Sequence, residues 1–399
     1  MISVIIAATL GVLTQGDFTI LDKSEFEKRP KVKYHLYDPQ LFDMYRKCMP
    51  IINRPCYTAN DPKHALDVHF VESIIALNES VDPWDATLFI VPVLYSQFDG
   101  GPQAICRYHH MPKAITQMYE VLHSLGHYKH GIRNHFLMAD HFAAGLPHNT
   151  WAKFTFEPEL IVGRFEHPLL SVLYSITSDI DESQFFGVGY STHEGLLRHC
   201  PSNHLTTFRS PLPSRERKYL LSFTGGVLLN DGWHRYNNRL VLWEYIEHHY
   251  LPEDTFISMY AKFAHNKNFT WLNGPEILHN SSFVLQLGGD SPTTERLWIA
   301  FEHHTMLCAV TSEKEALLTI LPFPLRVPWE ELILWIDADE FVKEPVQAMR
   351  EAILGLSDIE WERRYNLMLK HKRDVLWGYE DSVAVFNVLE EAARRVKNV

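Results

Sequence analysis

The sequence lacks a long apolar run, a paired-cysteine motif and a basic cluster. The apolar stretch before Gln15 holds about a dozen residues, fewer than the roughly 20 that a bilayer-spanning helix needs. The five cysteines form no CxxC pair, which argues against structural zinc. The net charge of −12, without a basic patch, argues against nucleic-acid binding.

The composition is that of an ordinary globular protein. Of the 399 residues, 46% are hydrophobic and 22% are charged, which suffices for a large core and suggests two domains. One or two disulfides fit the scattered cysteines, with one thiol left over. Cys48 and Cys56 are the closest pair in sequence and our first candidate for a bridge.

Residues 1–16 predict either a signal peptide or the remnant of a membrane anchor. Small residues, Thr14 and Gly16, end the stretch and polar sequence follows at once, although a basic leader is absent. The alternative interpretation is a buried first strand. Three sequons, at Asn78, Asn268 and Asn280, agree with passage through the secretory pathway.

Strand-like runs alternate with helical periodicity in both halves of the chain, which predicts an α/β fold. The clearest strands cover residues 85–95 in the first half and 219–226 in the second. A stretch rich in Pro, Ser and Arg, at 202–217, is the candidate linker, and the chain from Pro345 onward predicts helices. Two such halves create a cleft, in which ligands bind at the carboxyl ends of the strands.

The segment LQLGGDSPTTER predicts a strand, a glycine-rich loop and the start of a helix. Gly288 and Gly289 allow a tight turn and a close approach to the backbone. Ser291 is the predicted N-cap, and Pro292 is the predicted first helical residue. The free N–H groups of such a helix, with Arg296 one turn in, can bind a phosphate. The alternative is an ordinary strand-to-helix turn that Ser291 caps.

The extended segment SFVLQLGGDSPTTERLWIAFEHHTMLCAV resembles the donor-binding region of the exostosin-family glycosyltransferases, and ILPFPLRVPW follows it as similar residues do in that family. Other landmarks fall in the family's order. They are VKYHLYD (32–38), DPWDATLFIVPVLYS (82–96), GIRNHFLMADHF (131–142) and RKYLLSFTGG (217–226). The resemblance covers residues 30–395, nearly the whole chain.

The resemblance implies an α/β fold of the GT-B type, in which two Rossmann-like domains face a central cleft and C-terminal helices close the molecule. We expect an acceptor domain over 30–205, a nucleotide-sugar-binding domain over 215–375 and a closing helix over 376–399. The implied activity is inverting transfer of a sugar, by default from a UDP-sugar, to an oligosaccharide or polysaccharide in the Golgi lumen. The resemblance implies that no cofactor is required and that no nucleic acid is bound. It leaves open whether the N-terminus anchors the chain to a membrane and whether the chain forms a homodimer or a heterodimer.

The resemblance also assigns candidate site residues. His135 is the predicted base that takes the proton of the acceptor hydroxyl, and His141 is the second matching histidine. Either position has the alternative of a structural histidine. The departing diphosphate needs preorganised cations and N–H groups. The predicted donor-binding residues are Gly288, Gly289, Asp290, Ser291, Thr293, Thr294, Arg296, Arg239 and Glu302.

Three departures from the family motifs bear on activity. The family's acid, three places after the helix arginine, is Ile299 here, so Glu295 or Glu302 would have to contact the nucleotide ribose. The family's GCIPV becomes HTMLC, so we expect His303 and His304 to crowd the cleft or contact the donor. Two carboxylates of the family's Asp-His and His-Asp pairs are missing. The alternative to an enzyme is therefore an inactive pseudo-glycosyltransferase that binds a glycan or partners an active enzyme.

Two metal-binding interpretations compete with this one. LILWIDADEFV ends a strand in Asp-x-Asp, through Asp337 and Asp339, as in metal-dependent glycosyltransferases of the other common fold. We favour helix capping at this position. His123, His127 and His130 would share one helical face if their helix continued, but HExxH is absent and nearby glycines predict that the helix frays.

Overall fold

The structure is a computed structural model that describes ten segments of the chain. They are residues 31–52, 66–95, 111–139, 157–164, 182–189, 214–227, 237–261, 274–289, 292–377 and 382–399. The N-terminal segment 1–16, most of the predicted linker, Cys56, His141, Asn268, Asp290 and Ser291 lie outside them. Within these segments, no helix has both the length and the apolar character that crossing a bilayer requires.

The first half of the chain forms a five-stranded parallel sheet. Its strands, with one short outlying strand β3, are β1 (Tyr34–Leu36), β2 (Leu88–Ile90), β3 (Ile132–Arg133), β4 (His135–Met138), β5 (Leu160–Arg164) and β6 (Phe185–Gly187). The order in the sheet is β1-β2-β4-β5-β6, with parallel pairings throughout. Continuous apolar runs such as LFI and HFLM suit these strands because a parallel sheet is buried on both faces.

Among the described residues, three helices accompany this sheet in sequence. They are α1 (Asp43–Ile52), α2 (Leu66–Leu77) and α3 (Met111–Ser124). Apolar residues recur along α3 at helical spacing, and Ile115, Met118 and Leu122 are fully buried in the core. Gly126, just beyond α3, has a φ of 68°, the left-handed conformation that commonly ends a helix.

The second half forms a second five-stranded parallel sheet. Its strands are β7 (Tyr219–Val227), β8 (Thr255–Ala261), β9 (Ser281–Gln286), β10 (Met306–Val310) and β11 (Ile333–Ile336). Their order is β11-β10-β9-β7-β8. The predicted α/β fold with a parallel sheet in each half is thereby confirmed.

Helices connect and follow the strands of the second sheet. They are α4 (Asn237–His248), α5 (Gly274–His279), α6 (Glu295–Glu302), α7 (Lys314–Ile320), α8 (Trp329–Leu332), α9 (Ala338–Lys343), α10 (Pro345–Leu354), α11 (Asp358–Val375) and α12 (Ala384–Arg394). The helical prediction for the chain from Pro345 onward is confirmed by α10, α11 and α12.

The last residues of the chain return to the first sheet. Strand β12 (Lys397–Asn398) pairs antiparallel with β3, and helix α12 contacts β5 and α2. The guanidinium carbon of Arg395 lies 4.7 Å from the ring centroid of Phe186 on β6. The C-terminal segment therefore ties the second half of the chain to the first.

The two cysteines that the structure describes differ in oxidation state. Cys48 on α1 is disulfide-bonded, and its partner lies outside the described residues. The pairing of Cys48 with Cys56 therefore stays a prediction. Cys308 on β10 is a fully buried free thiol, and burial raises its pKa, so it remains protonated and unreactive.

A second contact joins the halves just beyond β6. Gly189 has a φ of 87°, and a Cβ at this position would lie 2.7 Å from Cε2 of Trp298 on α6. Trp298 is fully buried, so the backbone after β6 packs directly on its indole ring. Only glycine combines a positive φ with so close an approach.

We expect Gly189→Ala to lower the free energy of unfolding by about 2–4 kcal/mol, because it adds a steric overlap with Trp298 to the cost of a positive φ. Gly126→Ala is the matched control, since Gly126 also has a positive φ but no atom lies within 4 Å of its Cβ position. It should cost about 1 kcal/mol. Thermal and urea unfolding would measure both, and equal losses would contradict a packing role for Gly189.

Candidate functional site at the carboxyl edge of the second sheet

Two glycine-containing segments meet at the carboxyl edge of the second sheet, the end of strand β7 and the loop after strand β9. Strand β7 ends in Gly225, Gly226 and Val227, and β9 is followed by Leu287, Gly288 and Gly289. The two strands are parallel neighbours, so their carboxyl ends lie side by side. This edge is where open α/β sheets bind ligands.

Arg239 on α4 forms hydrogen bonds to both of these segments. Its side chain is buried, and its Nη1 and Nη2 atoms donate to the carbonyl oxygens of Gly226, at 2.7 Å, and Leu287, at 2.9 Å. A Cβ on Gly289 would lie 2.7 Å from Nη2 of Arg239. The absence of a side chain at Gly289 therefore lets the guanidinium of Arg239 approach the backbone. From the sequence alone, we had expected a phosphate to make this approach.

Arg296, in the first turn of α6, lies beside Arg239. It donates through Nη2 to the carbonyl oxygen of Thr224 on β7 and through Nη1 to Oγ1 of Thr294, at 3.1 Å. Both guanidinium carbons face the ring of Phe223, at 4.5 Å for Arg296 and 5.8 Å for Arg239. The aromatic ring and the backbone carbonyls thus hold two like charges close together.

The charges at this edge are only partly balanced. Burial lowers the pKa of Arg296 to about 9, and the neighbouring charge of Arg239 acts in the same direction. Within the described part of the chain, Arg296 forms no ion pair. A buried guanidinium without an ion-pair partner among the described residues favours the binding of an anion beside it, because an anion would restore the electrostatic compensation that water no longer supplies.

Glu313 places an acid against this loop. It follows β10, and its carboxylate accepts hydrogen bonds from the backbone N–H of Gly288, at 2.8 Å, and from Nδ2 of Asn238, at 2.7 Å. Burial raises its pKa, and the charge of Arg239 opposes that shift. Sequence reasoning missed Glu313, although its place after a strand of the same sheet was a usable signal.

The start of α6 differs from the prediction. Thr294 is the N-cap and the helix begins at Glu295, so Pro292 precedes the helix and the N-cap prediction for Ser291 is wrong. The Thr294 hydroxyl donates to Oε1 of Gln286, at 2.8 Å, instead of capping the helix. Gln286 also donates to the carbonyl oxygen of Pro292, at 3.2 Å. The loop is therefore fastened to the end of β9, and the first turn of α6 has no side-chain cap.

The other predicted donor contacts have different positions. Thr293 is fully buried beside the start of α6. Glu302 is the last residue of α6, about 10 Å along the helix axis from Glu295, and it is buried. Ile299 is half-buried and packs against the core. A ribose contact by Glu295 or Glu302 stays a prediction.

His303 and His304 do not lie at this edge. They form the turn from α6 into β10, and therefore lie at the amino edge of the sheet, away from the donor loop. Nε2 of His304 lies 2.9 Å from Nζ of Lys372 on α11, and the ring of His303 lies 6.1 Å from that of His279. The expectation that they crowd the cleft or contact the donor is wrong.

His135 also lies away from a carboxyl edge. It is the first residue of β4, it has no exposed surface, and its ring stacks on Phe89 at 4.8 Å. Nε2 lies 2.8 Å from the hydroxyl of Tyr37, and Nδ1 lies 2.7 Å from Oδ1 of Asn134. Burial lowers its pKa to about 3, with His127 adding to the shift. A fully enclosed ring cannot contact an acceptor, so we withdraw His135 as the base; His141 lies outside the described residues.

The Asp-x-Asp segment caps a helix. Asp337 is the N-cap of α9, and its Oδ1 accepts hydrogen bonds from the backbone N–H groups of Asp339, at 2.9 Å, and Glu340, at 3.0 Å. The capping interpretation is confirmed. Across the described segments, no group of three or more His, Cys, Asp or Glu side chains is arranged to hold a metal ion.

The histidine-rich stretch after α3 has separate local contacts. α3 ends at Ser124, so His127 and His130 lie beyond it and share no helical face with His123. The ring of His127 stacks on Phe89 at 5.4 Å. His130 is exposed and pairs with Glu159 at 2.7 Å. The fraying that the glycines predicted is confirmed.

Asp337→Ala should lower the free energy of unfolding by about 1 kcal/mol, because two N–H groups of α9 lose their acceptor. Asp337→Asn, which keeps an acceptor oxygen, should cost a few tenths of that value, about 0.3 kcal/mol. Asp339→Ala is the matched control, since its side chain is exposed in the first turn. An equal loss for Asp339→Ala, measured by thermal unfolding, would contradict the cap.

Buried neutral histidines predict a loss of stability in acid. The pKa of His135 falls from 6.5 to about 3 on folding, so the unfolded chain binds the proton more tightly. The contribution of neutral His135 to the free energy of unfolding is fully present above pH 6.5. It is lost as the pH falls toward 3, at up to about 1.4 kcal/mol per pH unit. His303 and His304 are half-buried, and burial also lowers their pKa values, to about 3 and about 2, so they act in the same direction.

Replacing both members of the Tyr37–His135 pair tests this expectation. Tyr37→Phe with His135→Phe removes the titrating group without leaving a buried hydroxyl alone. The melting temperature of this double variant should fall less between pH 7.5 and pH 5.5 than that of the parent chain. His130→Ala, at an exposed position, is the control. The same pH dependence in the double variant and the parent would contradict the assignment.

Comparison with known proteins adds no family to this description. Neither a protein-family model nor a curated protein sequence matches the chain.

Proposed function

We propose that the chain is an exostosin-like glycosyltransferase of the GT-B type, which transfers a sugar with inversion from a nucleotide sugar to a glycan acceptor. In this proposal, the carboxyl edge of the second sheet binds the diphosphate of the donor, by default a UDP-sugar. The first half of the chain supplies the acceptor surface. The resemblance of the segment around Gly288 to the donor-binding region of that family is one support.

The observation that carries the proposal is the pair of adjacent guanidinium groups at this edge. Arg239 and Arg296 share one aromatic ring, and the charge of Arg239 helps to lower the pKa of Arg296, which has no ion-pair partner among the described residues. A departing nucleoside diphosphate gains negative charge in the transition state, and fixed cations stabilise it without reorganisation.

The two arginines would orient the diphosphate, because hydrogen bonds already hold their side chains in place. Arg239 is fixed by two carbonyl oxygens and Arg296 by a carbonyl and a hydroxyl, so neither side chain has to be ordered when the donor binds. The start of α6, where the Thr294 side chain makes no cap hydrogen bond, adds the positive end of the helix dipole. Glu313 holds the backbone of Gly288 and limits the net charge of the site.

The proposed donor site lies close to the first sheet, which supports the proposal that the first half of the chain binds the acceptor. Trp298, one turn into α6 from Glu295, packs on the backbone that follows β6 of the first sheet. The carboxyl end of β6 is therefore close to the helix that starts at the donor loop. In a two-sheet enzyme of this class, the acceptor hydroxyl would approach from that side.

A secretory location belongs to the same proposal. Asn78 of the first sequon is exposed just after α2, which leaves room for a glycan. The sequon at Asn280 is less open, because its Nδ2 donates to the carbonyl oxygen of Glu276 and Ser282 is buried. We place the chain in the secretory pathway, with the Golgi lumen as its working compartment.

The withdrawal of His135 favours a second candidate, which is a nucleotide-sugar- or glycan-binding chain without turnover. No described residue is now assigned as the base, and the family's two carboxylates are absent from the sequence. The two candidates share the donor site and differ in catalysis. Nucleotide binding therefore tests the site, and turnover separates the candidates.

We expect UDP to bind the full chain more tightly than uridine, because the diphosphate makes the charged contacts. Arg296→Met should weaken UDP binding by about tenfold to a hundredfold while leaving uridine binding unchanged, since one charge-assisted contact is lost. Arg363→Met on α11, which removes an exposed arginine far along the chain, is the control. Isothermal titration calorimetry would give both affinities.

The outcomes separate the hypotheses. Absence of binding by UDP and GDP, or equal UDP affinity in Arg296→Met and Arg363→Met, would overturn the donor site. Release of UDP from UDP-sugars in the presence of a glycan acceptor, retained with EDTA, would support the metal-independent enzyme. UDP binding without turnover of any UDP- or GDP-sugar would favour the non-catalytic candidate.

A further inference from the structure

Glu313 lies at the same carboxyl edge as the proposed donor site. It ends the single helical turn Thr311–Glu313 that directly follows β10, and its side chain reaches back to the loop after β9. Oε2 accepts a hydrogen bond from the backbone N–H of Gly288, at 2.8 Å, and Oε1 accepts one from Nδ2 of Asn238, at 2.7 Å. The carboxylate is therefore fixed in position against the loop.

The backbone N–H of Gly288 is occupied by this carboxylate. Gly288 is one of the residues that the sequence assigns to the donor diphosphate. A carboxylate and a phosphate are both anionic acceptors, so they compete for the same kind of N–H donor. Glu313 therefore takes up a contact on the loop that a phosphate oxygen would otherwise make.

The carboxylate of Glu313 also lies near the guanidinium of Arg239. Asn238, which donates to Glu313, precedes Arg239 on α4, and the guanidinium packs on Gly289, the residue after Gly288. Burial raises the pKa of Glu313, while its two hydrogen bonds and the charge of Arg239 act in the opposite direction. The N–H donors and the guanidinium that surround this side chain suit its ionised form.

A nucleotide sugar and a free nucleoside diphosphate differ in charge. In the nucleotide sugar, the sugar esterifies the terminal phosphate, which keeps a single negative charge. In the free diphosphate, the terminal phosphate is a monoester, and such a group carries about −1.5 to −2 charges at pH 7. A fixed negative charge beside the site therefore opposes the free diphosphate more strongly than the nucleotide sugar.

We propose that the ionised carboxylate of Glu313 is a specificity-determining group of the donor site, which favours a nucleotide sugar over the free nucleoside diphosphate. It repels the additional charge of the free diphosphate and withholds the N–H of Gly288 from it. Arg296 supplies an attraction that both ligands share. The inference rests on the proposed function, because it requires that the diphosphate bind at this edge.

Glu313→Gln tests the proposal, since it keeps the size of the side chain and one acceptor oxygen but removes the charge. We expect this variant to bind UDP about tenfold more tightly than the parent, and UDP-glucose, as a representative nucleotide sugar, about threefold more tightly. The ratio of UDP affinity to UDP-glucose affinity should therefore rise by about threefold. Isothermal titration calorimetry on the full chain at pH 7.5 and low ionic strength measures both affinities.

Two control variants separate charge from structure. Glu315→Gln removes an equal charge from an exposed side chain on α7 and should change neither affinity by more than about twofold, because solvent screens that charge. Ser312→Ala removes a second acceptor of Asn238, at 3.2 Å, without a change in charge, and should leave the affinity ratio as it is in the parent. If Glu313 only held the loop in place, Glu313→Gln would weaken the binding of both ligands.

The pH dependence of UDP-glucose binding is a second readout that needs no variant. Neither phosphate of UDP-glucose titrates between pH 7.5 and pH 5, and Arg239, Arg296 and Lys314, which pairs with Glu330, keep their charges. Because burial raises the pKa of Glu313, acidification removes its charge first and with it the repulsion. UDP-glucose should bind the parent more tightly at pH 5, and an unchanged or weaker affinity would contradict the proposal.

The results also separate this inference from the proposed function. No binding of UDP or UDP-glucose by the parent and its variants would overturn the donor site and this inference together. UDP binding that Arg296→Met weakens, combined with an unchanged affinity ratio in Glu313→Gln, would overturn the inference alone. A ratio that rises in Glu313→Gln but not in Glu315→Gln would support it.

Discussion

The buried guanidinium of Arg239 determines the shape of the carboxyl edge of the second sheet. It bonds the carbonyl oxygens of Gly226 and Leu287, and thereby links the end of β7 to the loop after β9. Gly289 has to be glycine because the guanidinium occupies the space of a Cβ. Arg296 packs against the ring of Phe223, which the guanidinium of Arg239 also approaches.

Parallel strands give the second sheet two edges with different chemistry. The carboxyl edge collects the segments that lead into helices, where Arg239 and Arg296 lie side by side. The amino edge collects the turns that leave helices, where Arg217 and His304 lie beside α11. The strands β9 and β10, of six and five residues, separate these edges by about 17–20 Å.

Some site residues were predictable from local pattern and others were not. The strand, loop and helix around Gly288 follow from the apolar run and the paired glycines, and the structure contains all three. The start of α6 did not follow, because Gln286 binds the hydroxyl of Thr294 and holds the segment out of the helix. His135 matched a motif, but the apolar residues that follow it make it the first residue of β4, buried among aromatic rings.

By itself, the sequence determined the α/β class, the main strands and the C-terminal helices, because local periodicity reports which residues are buried within one element. Only the tertiary structure decided which side chains meet. Arg239 bonds a carbonyl 48 residues away, and Lys372 lies against a histidine 68 residues away. These contacts depend on strand order and on which edge of the sheet a residue occupies, and neither property is encoded in the pattern of neighbouring residues.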